Sequence, residues 1–283
     1  MAREQRRHTR RRIGLAAAVV VVAVATTAGA TLSHRAGEAS PQAGSLLSAA
    51  SSPSRTGSPA PSDAPTFRLV ADDQESAQTT GRRLSEALDD AVKREAPGAR
   101  WLGGNPYGTP TTDGQPPAMI SVGGTQASGQ MFYGGSNLQI GSLEGSLQLQ
   151  ITDYRLFCSG AAASANPKCG SDALQRARQA QENGLTCQTR NGPEPGCVRR
   201  AGPHGERVAV RTSSAKPSKL NGPWAFVAHD VQVELSDGRV LDISVSNEVD
   251  GAESGGRPHQ QDSPLSVDQV VAIATDVAEK IKP

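Results

Sequence analysis

Aromatic side chains are scarce in this chain and absent from its first 66 positions. All nine, 3% of the 283 residues, lie from Phe67 onward. A segment without them and with few large aliphatics cannot bury enough apolar surface to offset chain entropy, so no folded core is expected before Phe67. Strong net charge is also missing. The chain carries +1. Six arginines against Glu4 give residues 1–12 a charge of +5, and residues 13–66 balance, which leaves −4 for the remainder. A mildly acidic domain lacks the basic face that nucleic acid selects, which excludes nucleic-acid partners. No G-x-S-x-G, H-E-x-x-H, P-loop or EF-hand sequence occurs, so the common hydrolase, metalloprotease, nucleotide and calcium signatures are excluded. The four cysteines, Cys158, Cys169, Cys187 and Cys197, form no close C-x-x-C pair, which argues against a zinc site. None flanks the N-terminal apolar run, so a lipid-modified N-terminal cysteine is excluded.

What is present at the N-terminus is an export signal. Arg3, Arg6, Arg7, Arg10, Arg11 and Arg12 precede a run, residues 13–32, with no charged residue. Twenty uncharged residues rich in Val and Ala match the thickness of a bilayer. A helix is the form that satisfies its own backbone hydrogen bonds there. The arginines hold the N-terminus in the cytoplasm, so the chain beyond Leu32 faces outward. Two fates stay open: an uncleaved signal-anchor, or a signal peptide removed after Ala30 in Ala28-Gly29-Ala30. The organisation expected is a cytoplasmic Arg-rich N-terminus (1–12), a transmembrane segment (13–32), a Ser/Pro/Ala linker without fixed structure (33–66) and an extracytoplasmic domain (67–283).

Within the domain the patterns predict an α+β fold: an antiparallel sheet with N-terminal and C-terminal helices packed on it. Asp72 and Glu75 have capping-box spacing. Leu84, Ala87, Leu88, Ala91 and Val92 then recur on one helical face until Pro97-Gly98, with Gly81 weakening the middle. In the Gly/Pro-rich stretch 99–141 only Met119–Val122 and Met131–Tyr133 read as short strands. Leu143 to Cys158 reads as one long strand, and its change of apolar phase predicts a β-bulge near Thr152–Asp153. Ser171 to Asn183 reads as a helix closed by Gly184. The clearest hairpin joins Trp224–Leu235 to Arg239–Val249. A three-residue loop, Ser236-Asp237-Gly238, pairs Val233 with Leu241 and Val231 with Ile243, keeping apolar residues on one face. A two-residue turn would mix the faces. Ser266 and Gln269 repeat the capping box, and Val267, Val270, Val271, Ala274, Val277, Ala278 and Ile281 form the stripe of a final helix.

Outside the cytoplasm an even number of cysteines predicts two disulfides. Short loops favour Cys158–Cys169 and Cys187–Cys197 and staple an insertion near 158–197. Ser213-Ser214-Ala215-Lys216 fits S-x-x-K, but Pro217 follows where that motif needs a helix start, so it reads as a chance match. His204 sits in a turn, His229 on an apolar strand face as a structural residue, and His259 in a polar loop. Acids along the first helix interleave with Arg82, Arg83, Lys93 and Arg94, as on a solvated surface. Trp101, Tyr107 and Tyr133 are the aromatic candidates for a carbohydrate- or peptide-binding surface, with core use the alternative. No catalytic, metal-binding or cofactor-binding residue is assigned, and no cofactor is implied.

Arg83-Leu84-Ser85-Glu86-Ala87-Leu88 leading to Pro97-Gly98-Ala99, and Asp237-Gly238-Arg239-Val240 leading to Pro264 through Ala274, resemble a pattern in uncharacterised actinobacterial single-pass, membrane-anchored exported proteins. The resemblance spans about a quarter of the chain, excludes the cysteine region and implies no site residue. The resulting expectation is a non-enzymatic binding or sensing module of the cell envelope, held by the lipid bilayer through residues 13–32 and meeting an envelope ligand or protein partner. The alternative is an envelope hydrolase.

Overall fold

The computed structural model describes residues 65–104, 111–122, 130–156, 170, 172–217, 223–249, 257–258 and 260–283. All fall within one compact unit, Pro59–Pro283. The segment 13–32, nearly all of the linker, and Cys158, Cys169, Tyr107 and His259 lie outside the described residues. Among the described residues no helix is long and apolar enough to cross a membrane.

A short strand β1 (Phe67–Arg68) leads into α1 (Gln74–Glu95). Then come β2 (Ala99–Leu102), β3 (Ile120–Ser121), β4 (Gln130–Ile140) and β5 (Leu143–Thr152). A 3-10 turn (Tyr154–Leu156) precedes α2 (Ala173–Thr186) and the small hairpin β6 (Gln188–Thr189) and β7 (Gly192–Pro193). The chain continues through β8 (Cys197–Ala201), β9 (Arg207–Ala215), β10 (Phe226–Glu234) and β11 (Val240–Ser246). It closes with β12 (Glu248–Val249), β13 (Arg257–Pro258), α3 (Val267–Lys280) and β14 (Ile281–Lys282), which pairs with β1 in parallel. Eight strands form one sheet in the order β2-β4-β5-β11-β10-β9-β8, with β3 beside β2 on the same flank of β4. Every pairing in that sheet is antiparallel.

The expected hairpin register is present. Val233 faces Leu241, Val231 faces Ile243 and His229 faces Val245. The Leu235 amide donates to the Arg239 carbonyl, and Gly238 has φ of +84°. That left-handed conformation is one only glycine adopts cheaply. The register extends across β5, where Leu149 faces Ile243 and Ile151 faces Leu241. One continuous apolar face results, and α1 and α3 cover it. Leu84, Leu88 and Val92 of α1 and Val270, Ile273 and Val277 of α3 share a single core with the sheet. Each such fully buried side chain stabilises by about 1.5–3 kcal/mol relative to exposure.

Four details correct the sequence reading. The first capping box is one residue later, with Asp73 accepting from the Ser76 amide at 2.7 Å and the Asp73 amide donating to Ser76 Oγ. Ser76 at N3 makes the reciprocal bond that Glu or Gln usually makes, so spacing alone chose the wrong pair. No bulge occurs at Thr152–Asp153. The strand ends at Thr152, and the phase change marks entry into the 3-10 turn, where buried Asp153 accepts from the Arg155 amide and Nε. The register irregularity lies instead on β4, between Gln130 and Phe132. Gly184 does not close α2. The helix runs to Thr186 and Cys187 ends it at φ of 55°. Gly184 instead lies against β10, where an added Cβ would come 2.7 Å from Gln232 Oε1 and displace that side chain. Strand content in 99–141 is larger than read. β2 and the whole of β4 belong to the sheet.

Gly81 and Gly134 have a shared reason. An extended strap, Pro117 to Met119, runs between α1 and β4. A Cβ on Gly81 would lie 2.5 Å from the Met119 carbonyl oxygen, and one on Gly134 would lie 2.6 Å from that of Ala118. Ser85 Oγ donates to the Pro117 carbonyl at 2.7 Å and fixes the strap.

Candidate functional site

The alternation that turns Val231 and Val233 toward the helices turns Asp230 and Gln232 to the opposite face. Cross-strand neighbours share a face, so two polar rows line up there. One runs Tyr133, Gln150, Asp242, Gln232, and the other runs Gln148, Ser244, Asp230, Arg211. All eight are partly buried. Gln232 Nε2 donates to Asp242 Oδ2 at 2.8 Å, and Gln150 also hydrogen-bonds the Asp242 carboxyl. Burial pushes Asp242 up from 3.8 to about 6, and the neighbouring Asp230 charge adds to the rise. Loss of hydration disfavours the ionised form more than the carboxamides and Arg211 favour it.

Helix α2 covers one end of this face. Arg211 holds it there. Its Nη2 donates to the Gly184 carbonyl, and its Nε donates to Glu194 Oε2 at 2.9 Å. Gln181 Nε2 donates to the Gly238 carbonyl at 2.8 Å. The Cys187–Cys197 disulfide, with Cα atoms 5.5 Å apart, ties the end of α2 to the first residue of β8. Small residues on the helix, Ala177, Ala180 and Gly184, leave a cavity of about 220 Å³ against Thr152, Gln232 and Val240.

A larger cleft, about 940 Å³, lies where Thr66 enters the domain, beside the hairpin tip and the C-terminal residues. Several of its charged groups are paired. Arg207 lies between Glu234 and Glu182, with closest contacts of 2.6 Å to each. These two carboxylates raise its already high pKa further, and Arg207 holds Glu182 below the usual carboxylate range. His204 Nε2 lies 3.1 Å from Glu279 Oε1. The sheet face instead sets carboxamides and a carboxyl in one row with an aromatic ring, and it is the better candidate.

The residues singled out by sequence fall as follows. Tyr133 stands on the polar face beside Gln150. Trp101 does not form a surface. It is buried, with Nε1 donating to Asp89 Oδ1 at 2.7 Å. His204 lies in a turn and His229 is half-buried on the helix-covered face, where burial lowers its pKa. Its Nδ1 lies 3.2 Å from Thr212 Oγ1. Ser213 to Ala215 end strand β9 and are exposed. Cys187–Cys197 is bonded as expected. Among the described residues no group of three or more His, Cys, Asp or Glu is placed to hold a metal. Asp242, Gln150 and Gln232 were missed. The signal for them was the polar half of each alternating strand. No protein-family model, curated protein or solved structure matches this chain.

Proposed function

We propose that this chain is a single-pass envelope protein whose outer domain binds a polar, neutral ligand such as an oligosaccharide on the polar sheet face, without turning it over. The observation that carries the reading is the row Tyr133, Gln150, Asp242, Gln232. Carboxamides and a carboxyl offer donors and acceptors in fixed geometry, and an aromatic ring at the end of the row offers a stacking face. The Arg-rich start and the uncharged run 13–32 support the anchor and its orientation. Membership among actinobacterial membrane-anchored exported proteins is part of the same proposal.

Binding is tested with the full-length chain and neutral oligosaccharides, including soluble cell-wall fragments, followed by calorimetry and by amide shifts of Gln150 and Asp242. Tyr133→Ala and Asp242→Ala should each abolish a measurable signal while the fold is retained. Shifts confined to the Arg207 cleft would refute the site. New reducing ends appearing during titration would instead select the hydrolase reading. Protease added to intact protoplasts should remove the domain. A soluble form beginning at Thr31 would mark cleavage after Ala30.

A further inference from the structure

The sheet ends in β8, and among the described residues nothing pairs with its outer side. Its orientation follows from two hydrogen bonds just past its ends. The Gly202 amide donates to the Glu206 carbonyl, and the Thr212 amide donates to the Gly196 carbonyl. Antiparallel ladders alternate between hydrogen-bonded and non-bonded pairs. In the register that pairs Val198 with Val210 and Arg200 with Val208, Val198 and Arg200 therefore bond to β9. Arg199 and Ala201 turn their N–H and C=O groups outward. The strand is exposed, and Val198 keeps 56% of its surface.

A groove of about 590 Å³ follows this edge, bounded by Leu185 and Thr186 at the end of α2. Its lining includes three arginines, Arg199, Arg200 and Arg207, and no carboxylate. Arg207 is already shared by Glu182 and Glu234. Arg200 meets only the exposed Asp268, at 2.9 Å, and Arg199 has no carboxylate partner among the described residues. Charged side chains on an edge strand oppose pairing with another copy. Two β8 strands side by side would set these arginines against each other, and like charges across a strand pair destabilise it. The same charges favour an acidic strand.

We propose that β8 is a docking edge for an acidic, extended polypeptide segment of a partner protein, which adds to the sheet as a further strand beside Arg199 and Ala201. Main-chain bonds supply the pairing and the arginines supply the selection. The test uses the full-length chain with fluorescein-labelled, capped peptides of alternating Val and Glu, or Val and Lys. The acidic peptide should bind, and it should slow hydrogen exchange at the Arg199 and Ala201 amides. Arg199→Glu, which changes charge but keeps every N–H, should weaken binding by about tenfold or more. Ala201→Pro, which removes one outward N–H without changing charge, should also weaken it, since proline is tolerated where the N–H faces away from the ladder. Equal binding of the Lys peptide would overturn the proposal. So would binding indifferent to Ala201→Pro, which is contact by charge alone. A peptide-free chain that sediments as a dimer through this edge, and as a monomer after Ala201→Pro, would replace the partner with a second copy.

Discussion

Asp242→Asn should change how stability depends on pH, and the sign is fixed by burial. In the native protein this carboxyl titrates at about 6 rather than at 3.8. The folded state therefore holds the proton more tightly than the unfolded chain. The stabilisation is complete below pH 3.8, is lost as pH rises toward about 6, and is absent above it. A rise of about two units corresponds to about 3 kcal/mol. Asp242 keeps some contact with solvent, so this is a ceiling, and about 1–2 kcal/mol is the expected size. Asn preserves the bonding. Its oxygen can accept from Gln232, and its amide can donate to Gln150 without a charge to desolvate. Other groups titrate as well. Asp237 and Glu182 are held low, and Asp276 is raised by burial. The informative quantity is therefore the difference between the two proteins. Urea unfolding of both should show the Asn variant gaining relative stability from about pH 4 to about pH 6.5, then a constant gap. A gap that does not move with pH, or that shrinks as pH rises, would refute the claim that burial raises this group.

Gly238→Val should lower stability by about 1–2 kcal/mol through its left-handed backbone, although no atom lies within 4 Å of its added Cβ. Gly98→Val, equally open and without positive φ, should do little, and equal loss in denaturant melts would remove the backbone explanation. Gly81→Ala should destabilise by about 1–3 kcal/mol because its Cβ meets the Met119 carbonyl; a gain, as helix propensity alone predicts, would show that the strap yields. Cys187→Ser should cost about 2–3 kcal/mol by loop entropy and expose the amides at the end of α2 to exchange before the sheet. Unchanged melting and exchange would mean the disulfide is incidental, and mass spectrometry of unreduced protein should find neither Cys187 nor Cys197 alkylatable.

The hairpin was legible because two strands of strict alternation admit one loop length that keeps Val231, Val233, Leu241 and Ile243 together. The last helix was legible because its cap and stripe agree. Strand β4 was not. Gly134 and Gly135 interrupt its pattern, and Ser136 and Asn137 are polar yet buried. Its glycine at 134 answers to a strap about 15 residues away in sequence, so no local window holds the reason. The candidate site was half visible. Tyr133 stood out as an aromatic in a glycine-rich stretch. Asp242 did not, because a carboxylate on the polar side of a strand looks solvated until something covers it.

Helix α2 lies over one end of that polar face, beside Gln232, and its composition explains why it settles there. Its only buried residues are Ala173 and Leu185, one at each end, so it brings too little apolar surface to compete for the main core. It attaches by hydrogen bonds instead, through Arg211 to the Gly184 carbonyl and Gln181 to the Gly238 carbonyl, and by the covalent tie from Cys187 to Cys197. Bonds of this kind hold a helix in place while leaving polar groups such as Gln232 beside it. The same helix ends at Leu185 and Thr186, the wall of the groove beside β8. One element therefore shapes both the cavity beside Gln232, the hydrogen-bond partner of Asp242, and the groove at the open edge. Gln181→Ala, which removes a bond that holds α2 and leaves the Arg211 charge in place, should open the cavity beside Gln232 and widen the β8 groove together.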